Sequence, residues 1–347
     1  MKKNKCFYLS RATIIAAIVL INLPEARAQL SKHTANDTAF YITYPKMLTG
    51  RFYFSQKYTA FTLQGSGQAK DLQYRPNTTL NMGVGATYHN FSLNLAYGFG
   101  FLNQTQEKGK TKYLDLQGHF YPSKWVVDWY GQLYKGYYLC PKSYATATSG
   151  KYYVRPDAKV NLFGIAAYRV LNNKRLSYNA AMIQNEWQRK SAGSLLLGAE
   201  IYYAVIKADS ALVPAAVADH YKQAGITEIK NFSIGPGIGY AYTLVIQRHF
   251  FVMGSLAANL NLGFSSETGI AGTHNKTSVN TSALFRVAAG YNSSSWNLSA
   301  NWVGNRLPVS GSSSSNNYLL QTGNYRIILA KKIMPAPKLK RLLNKFD

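Results

Sequence analysis

The stretch Lys112–Tyr138, KYLDLQGHFYPSKWVVDWYGQLYKGYY, sets the pattern on which the rest of the chain is built. Tyr113, Asp115, Gln117, His119 and Tyr121 alternate with Leu114, Leu116, Gly118 and Phe120. After Pro122-Ser123, Trp125, Val127, Trp129 and Leu133 alternate with Asp128, Tyr130, Gln132 and Tyr134. Successive strand residues point to opposite faces, so period 2 on both sides of a two-residue turn predicts an antiparallel hairpin. One face is apolar and aromatic, the other polar and partly charged. A soluble sheet can contain one such hairpin. Here the alternation recurs along the chain behind a secretion signal, which predicts an all-β fold: an antiparallel transmembrane β-barrel, apolar face toward lipid.

Upstream, Lys2, Lys3, Lys5 and Arg11 precede an apolar core from Ala12 to Leu23, and Ala26-Arg27-Ala28 forms a cleavage signature. The apolar run falls short of the about 20 residues a spanning helix needs. Cys6 precedes the apolar core, whereas a lipoprotein cysteine follows it, so no lipid anchor is expected. The chain therefore divides into a signal peptide (1–28), a polar N-terminal segment (29–46), a barrel (47–330) and a basic tail (331–347). The 27 Tyr, 16 Phe, 5 Trp and 27 Gly, with only 15% charged residues, suit aromatic girdles around a small polar lumen. A secreted sandwich is the competing fold. Beyond the signal only Cys140 remains, which excludes an intramolecular disulfide.

The formal charge is +25, of which the leader holds +4, leaving +21 for the rest. Such a chain attracts anions: lipopolysaccharide phosphates, acidic glycans, peptidoglycan carboxylates or an anionic solute. No recognition helix, zinc finger or stacking platform accompanies the charge, so nucleic acid is not an expected partner.

Strand-like alternation is found at 49–63, 78–88, 91–101, twice in the hairpin, and at 157–171, 175–187 and 192–206. It resumes at 231–245, 249–263, 277–291, 295–305 and 318–330. Tight turns are expected at His89-Asn90, Asn172-Asn173-Lys174, Gln247-Arg248 and Asn292-Ser293-Ser294. Long loops are expected at 139–156, 208–230 (with a short helix around Ala215 to Gln223), 264–276 and Ser310 to Ser315. These segments number thirteen, and the alternation of short and long connections loses step between 188 and 230. A barrel with both ends on one side needs an even number, so about twelve strands are expected, with ten and fourteen as alternatives.

Candidate chemistry is sparse. Asp115 and His119 share a strand face but lie roughly 13 Å apart, too far for a direct hydrogen bond. Asp128 lies across the hairpin and can approach His119. No serine in a distinctive context completes a triad, so no catalytic residue is assigned and an enzyme is not the leading expectation. The histidines are scattered, and Gly83-x-Gly85 and Gly235-Pro-Gly237-x-Gly239 lack the helix and Lys-Ser/Thr of a phosphate loop. Neither metal nor cofactor is expected. What remains is a lumen network of Asp115, His119, Asp128, Tyr130, Glu186, Glu200, Arg51, Arg286 and Arg326, with Lys57, Lys159 and Asp157 as further inward charges. Such charges need a counter-charge or water. They either interlock and plug a small barrel or set the selectivity of a wider one.

The run Leu72–Tyr88, LQYRPNTTLNMGVGATY, resembles an N-terminal element of an uncharacterised exported family of Bacteroidota, domain of unknown function 4421. The hairpin and Arg175–Gly193, RLSYNAAMIQNEWQRKSAG, resemble two further elements, and the likeness spans roughly 40–335. It implies an outer-membrane barrel of a Gram-negative bacterium, with no established activity and no site residues. The implied partners are outer-membrane lipid, lipopolysaccharide and the barrel-assembly machinery; oligomeric state stays open. The leading expectation is a small pore or envelope structural protein with affinity for anionic solutes or lipopolysaccharide. A barrel enzyme acting on lipid or glycan, and a surface binder using its long loops, are the alternatives.

Overall fold

The computed structural model describes residues 36–337 except 66, 68, 89, 90, 100–104, 123, 147, 313, 315 and 316. The expected signal peptide, the His89-Asn90 turn, Ser123, part of the serine run and residues 338–347 of the tail lie outside the described residues.

The strands are β1 (Tyr41–Thr43), β2 (Leu48–Leu63), β3 (Leu72–Arg75), β4 (Asn81–Tyr88), β5 (Phe91–Gly98), β6 (Lys112–Phe120), β7 (Trp125–Cys140) and β8 (Val154–Val170). After a short helix α1 (Tyr178–Met182) come β9 (Glu186–Gln188), β10 (Ala192–Lys207), β11 (Ile226–Ile246), β12 (Phe250–Gly269), β13 (Gly272–Asn292), β14 (Trp296–Ser310) and β15 (Asn317–Ile333). An antiparallel ring runs β2, β3, β7, β8, β10, β11, β12, β13, β14 and β15, and closes where β15 pairs with β2 from Tyr318↔Leu63 to Ile333↔Leu48.

The alternation in β12 shows what surrounds the ring. Ser255, Ala257, Asn259 and Asn261 point inward and are buried, while Leu256, Leu260 and Leu262 are exposed outside. Leu260 is 59% exposed beside an Asn259 that is 1% exposed. Leaving one such leucine in water forgoes about 2 kcal/mol of burial. The same inversion recurs at Leu133, Ile165, Leu197, Ile238, Leu298 and Ile327 on other strands of the ring. A polar inside and an apolar outside suit hydrocarbon as the surrounding medium, and a ring whose backbone bonds close on themselves is one of two structures that can span it.

The ring has ten strands rather than the expected twelve. The four-residue β3 was not anticipated. It bridges β2 to β7 at one end of the wall, so β4 and β5 hang from β2, and β6 from β7, beside the ring. The expected strand at 175–187 is not part of the wall. Ser177 caps α1 by accepting from the Ala180 amide, and Leu176, Tyr178, Ala180 and Ala181 are buried without alternation. The expected loop at 264–276 is instead the far end of the β12–β13 hairpin, which pairs as far as Gly269↔Gly272. Lys331–Ile333, expected in the tail, continue β15 opposite Leu48–Gly50.

The segment holding α1 and β9 forms a plug. Here β9 pairs with β1, Tyr178 Oη lies 2.8 Å from Ser255 Oγ, and Asn292 Nδ2 donates to the Ala180 carbonyl at 3.2 Å. Trp187 Nε1 donates to the Arg248 carbonyl at 2.8 Å, which fixes the plug to the β11–β12 turn. The β11–β12 and β13–β14 turns, the start of β2 and the end of β15 therefore share the plugged end. Segments 64–71, 141–153 and 208–225 join strands at the other end, the last including a 3-10 turn at Ala215–His220.

One glycine tests this geometry. At Gly136 the β7–β8 register shifts, φ is 93°, and an added Cβ would collide with the Lys110 carbonyl oxygen. Gly136→Ala should cost about 1–3 kcal/mol of stability, read as a lower midpoint for the heat-modifiable gel shift in detergent.

Candidate functional site

In the β6–β7 ladder His119 sits directly opposite Asp128, and its Nδ1 lies 2.6 Å from Asp128 Oδ1. The other Asp128 oxygen accepts from Arg286 Nη2 of β13. Since β7 and β13 are not neighbours in the ring, this buried pair crosses the lumen; both side chains are 0% exposed. Asp115 does not bond to His119. Its Oδ2 accepts from Tyr134 Oη at 2.6 Å, Gln132 Nε2 at 3.0 Å and Gln117 Nε2 at 3.2 Å, while Lys57 Nζ lies 3.5 Å from Oδ1. Gln132 Nε2 also donates to Thr322 Oγ1 at 2.7 Å, a second strut from β7 to β15.

Glu200 belongs to a separate cluster whose other members carry no charge. It accepts from Asn259 Nδ2 at 2.8 Å, from Asn261 Nδ2 at 2.6 Å and from Ser282 Oγ. Tyr130 is not bonded to the charged groups; its ring lies 5.9 Å from that of Tyr202, whose Oη accepts from Asn305 Nδ2 at 2.6 Å. Glu186 is not on a wall strand at all. It sits on β9 in the plug, accepting from Ser177 Oγ and from Asn179 Nδ2 at 3.4 Å. Burial raises its carboxyl above the ordinary range, against the opposing hydrogen bonds from Ser177 and Asn179 and the charge of Lys332. Lys159, expected inward, alternates with the buried Ala158 and Val160 and so lies on the outward face. Asp157 instead pairs with Arg155 at 2.8 Å.

The remaining residues converge. Arg51, Lys57, Arg326, Asp115 and His119 line a cavity of about 710 Å³, together with β5 residues Ser92–Ala96 and plug residues Met182–Asn185. Arg51, Ser55 and Lys57 alternate along the inward face of β2, and Arg326 is the cross-strand partner of Ser55, so the three cations form a basic ladder on the β2–β15 seam. Arg51 donates through Nε to the Ile183 carbonyl at 2.9 Å, through Nη1 to Asn94 Oδ1 at 3.2 Å and through Nη2 to Thr87 Oγ1. Arg326 lies over the Tyr53 ring at 5.5 Å, and its buried Nε has no hydrogen-bond partner among the described residues. Three cations thus face one carboxylate, Asp115, whose Oδ2 takes the neutral donors and whose Oδ1 has Lys57 at 3.5 Å, so that Arg51 and Arg326 have no carboxylate partner among the described residues. An excess of inward positive charge is stable only with water or an anion.

Sequence reasoning had placed Arg51, Arg326, Asp115 and His119 inward, and the structure gathers them around one cavity. It had not placed Asn94, Thr87 and the plug backbone there. The polar side of the Phe91–Phe101 stripe carried the signal for Asn94, but nothing local indicated which wall it would face.

The fold and site define a plugged membrane-spanning β-barrel with a basic internal cavity. The chain belongs to the family described as domain of unknown function (DUF4421), whose model matches residues 35–330. No curated protein sequence matches the chain. Among solved structures it is similar to the outer membrane protease OmpT from Escherichia coli at 11% identity, covering 84% of this chain and 98% of that one, with a TM-score of 0.39. It is also similar to the toluene transporter TodX of P. putida at 6% identity, over 84% and 91% of the two chains, with a TM-score of 0.23. An outer membrane channel from Pseudomonas putida F1 matches at 10% identity, over 85% and 99%, with a TM-score of 0.24.

Two measurements test the networks. Arg286→Gln should destabilise the barrel by about 3–5 kcal/mol, because it leaves Asp128 charged and buried, and Asp128→Asn in the same chain should recover part of that loss. Both are read as unfolding midpoints in detergent. For Glu186 the sign follows from a folded carboxyl that holds its proton more tightly than the unfolded one. Its protonation favours the plug below the ordinary carboxylate range, and that contribution disappears as pH rises through the raised value. Hydrogen exchange in 178–188, followed from about pH 4 to pH 8, should therefore quicken with pH in the parent more steeply than in Glu186→Gln.

Proposed function

We propose that this chain is an outer-membrane β-barrel whose lumen is closed to free flow and which binds an anionic group in the Arg51–Lys57–Arg326 cavity. The outer membrane is favoured by the apolar belt, by the tight β11–β12 and β13–β14 turns at the plugged end against the longer connections 141–153 and 208–225 at the other, and by the export signal read in the sequence. In that orientation the plugged end faces the periplasm. Lipid along the belt, lipopolysaccharide near the outer rim and the barrel-assembly machinery are the partners this placement implies.

One observation carries the anion reading: among the described residues Arg326 Nε is buried and unpartnered beside Arg51 and Lys57, with Asp115 as the one carboxylate on the cavity wall. The cross-lumen struts Asp128–Arg286 and Gln132–Thr322, with the plug beneath them, argue against an open pore. A second reading rests on His119. Its Nδ1 is held by Asp128, which leaves Nε2 as an acceptor, buried and without a partner among the described residues, at the cavity wall. That is the arrangement of a general base, so a barrel enzyme acting on a bound ester remains the alternative.

In planar bilayers the protein should show no sustained single-channel conductance; stable, anion-selective openings would overturn the closed-lumen reading. Inorganic phosphate should bind the detergent-purified protein in calorimetry, and Arg326→Gln should weaken it by about tenfold, the effect of losing one charge-assisted contact. If ester turnover exists, His119→Ala should abolish it while phosphate binding persists.

A further inference from the structure

The wall is incomplete on one side. Among the described residues the ring crosses from β2 to β7 only through β3, by the pairs Phe61–Leu63 with Leu72–Tyr74 and Gln73–Arg75 with Tyr138–Cys140. Toward the plugged end β4 and β5 extend one flank and β6 the other, and among the described residues no ladder joins β5 to β6. The top of the gap is fixed by Thr79 Oγ1 at 2.9 Å from Tyr113 Oη, and by Asn77 Nδ2 donating to the carbonyls of Thr105 and Gly109.

The basic cavity runs through this gap. Its lining includes the outward leucines Leu93 and Leu95 of β5 and Leu116 of β6, as well as the inward Asn94, Gln117 and His119. Leu93 and Leu95 are 54% and 63% exposed, so the rim belongs to the apolar belt while the interior belongs to Arg51, Lys57 and Arg326. Two free strand edges facing hydrocarbon are costly unless something occupies them. An apolar threshold leading to a cationic interior matches one kind of molecule, an amphiphile with its tails in lipid and an anionic head inside. The cavity volume of about 710 Å³ lies within the range of small-molecule sites. Ser92 of β5, opposite Thr87, which pairs with Thr49 at the start of β2, places the opening in the half of the wall nearest the plug.

We infer that the gap between β5 and β6 is a lateral opening through which a glycerophospholipid of the periplasmic leaflet sets its phosphate against Arg51 and Arg326. The inference rests on the outer-membrane, anion-binding reading above and adds the source of the anion. A free phosphate arriving from the periplasm shares the chemistry but needs no lateral path, and this difference can be measured.

The full chain in detergent is incubated with palmitoyl-oleoyl phosphatidylglycerol and followed by native mass spectrometry, with inorganic phosphate titrated separately by calorimetry. One lipid per barrel is expected, bound more than about tenfold tighter than phosphate. Arg326→Gln should weaken both ligands. Leu114→Trp, on the outward face of β6 and outside the cavity lining, narrows the apolar rim and should lose the lipid while keeping inorganic phosphate. Heat-modifiable migration shows that each variant is folded. If Leu114→Trp does not fold, a benzophenone amino acid at position 117 should capture lipid in vesicles, and its silence overturns the opening. Phosphate bound equally by the parent and Leu114→Trp, with lipid no tighter, removes the lateral opening and leaves the anion site standing. Binding of neither ligand removes both. A stable dimer joined through the β5 and β6 edges assigns the gap to a second copy and also overturns the inference.

Discussion

Everything in this molecule follows from the need to satisfy backbone hydrogen bonds where there is no water. In hydrocarbon each unpaired amide or carbonyl costs several kcal/mol, so the chain must return its last long strand to its first. The pairing of β15 with β2 along their full lengths does this on one side. On the other side the task falls to four residues of β3, and the wall beneath is left as two flanks. The regular side carries the basic ladder, and the irregular side carries the opening toward it.

The inside obeys the complementary constraint. A lumen lined by Asn, Ser, Thr, Gln and Tyr solvates itself, as the Glu200 cluster does with amides and hydroxyls in place of a cation. Charges occur where they join opposite walls, as Asp128 and Arg286 do, or where they are left over, as Arg326 is. The first kind holds the barrel to one shape. The second kind is a poor use of burial energy unless a ligand completes it.

The wall was legible because period 2 is a local property: each strand of the hairpin at 112–138 and of β10 to β15 declares its own inward and outward faces. The approach of His119 to Asp128 was legible too, because a tight hairpin fixes its own register. What could not be read are relations set by closure. Nothing around Leu72–Arg75 marks those four residues as the closing strand, and 158 positions separate Asp128 from Arg286. The segment 175–187 reads in sequence as a strand paired back through the Asn172-Asn173-Lys174 turn. Its burial comes from a lumen that exists only once the ring has formed.

The anchoring of the plug has a consequence for assembly. The plug lies mid-chain, yet several of the side chains that grip it come from late strands: Asn292 donates to the carbonyls of Ala180 and Glu186, and Asn301 to that of Ala181. Lys332, almost the last residue of β15, ties down Asn292 at 3.1 Å and the Ser293 carbonyl at 2.7 Å. A segment enclosed by a ring has to be inside before the ring shuts. Seating the plug and joining β15 to β2 are thus a single step, and an unclosed barrel is also an unstoppered one.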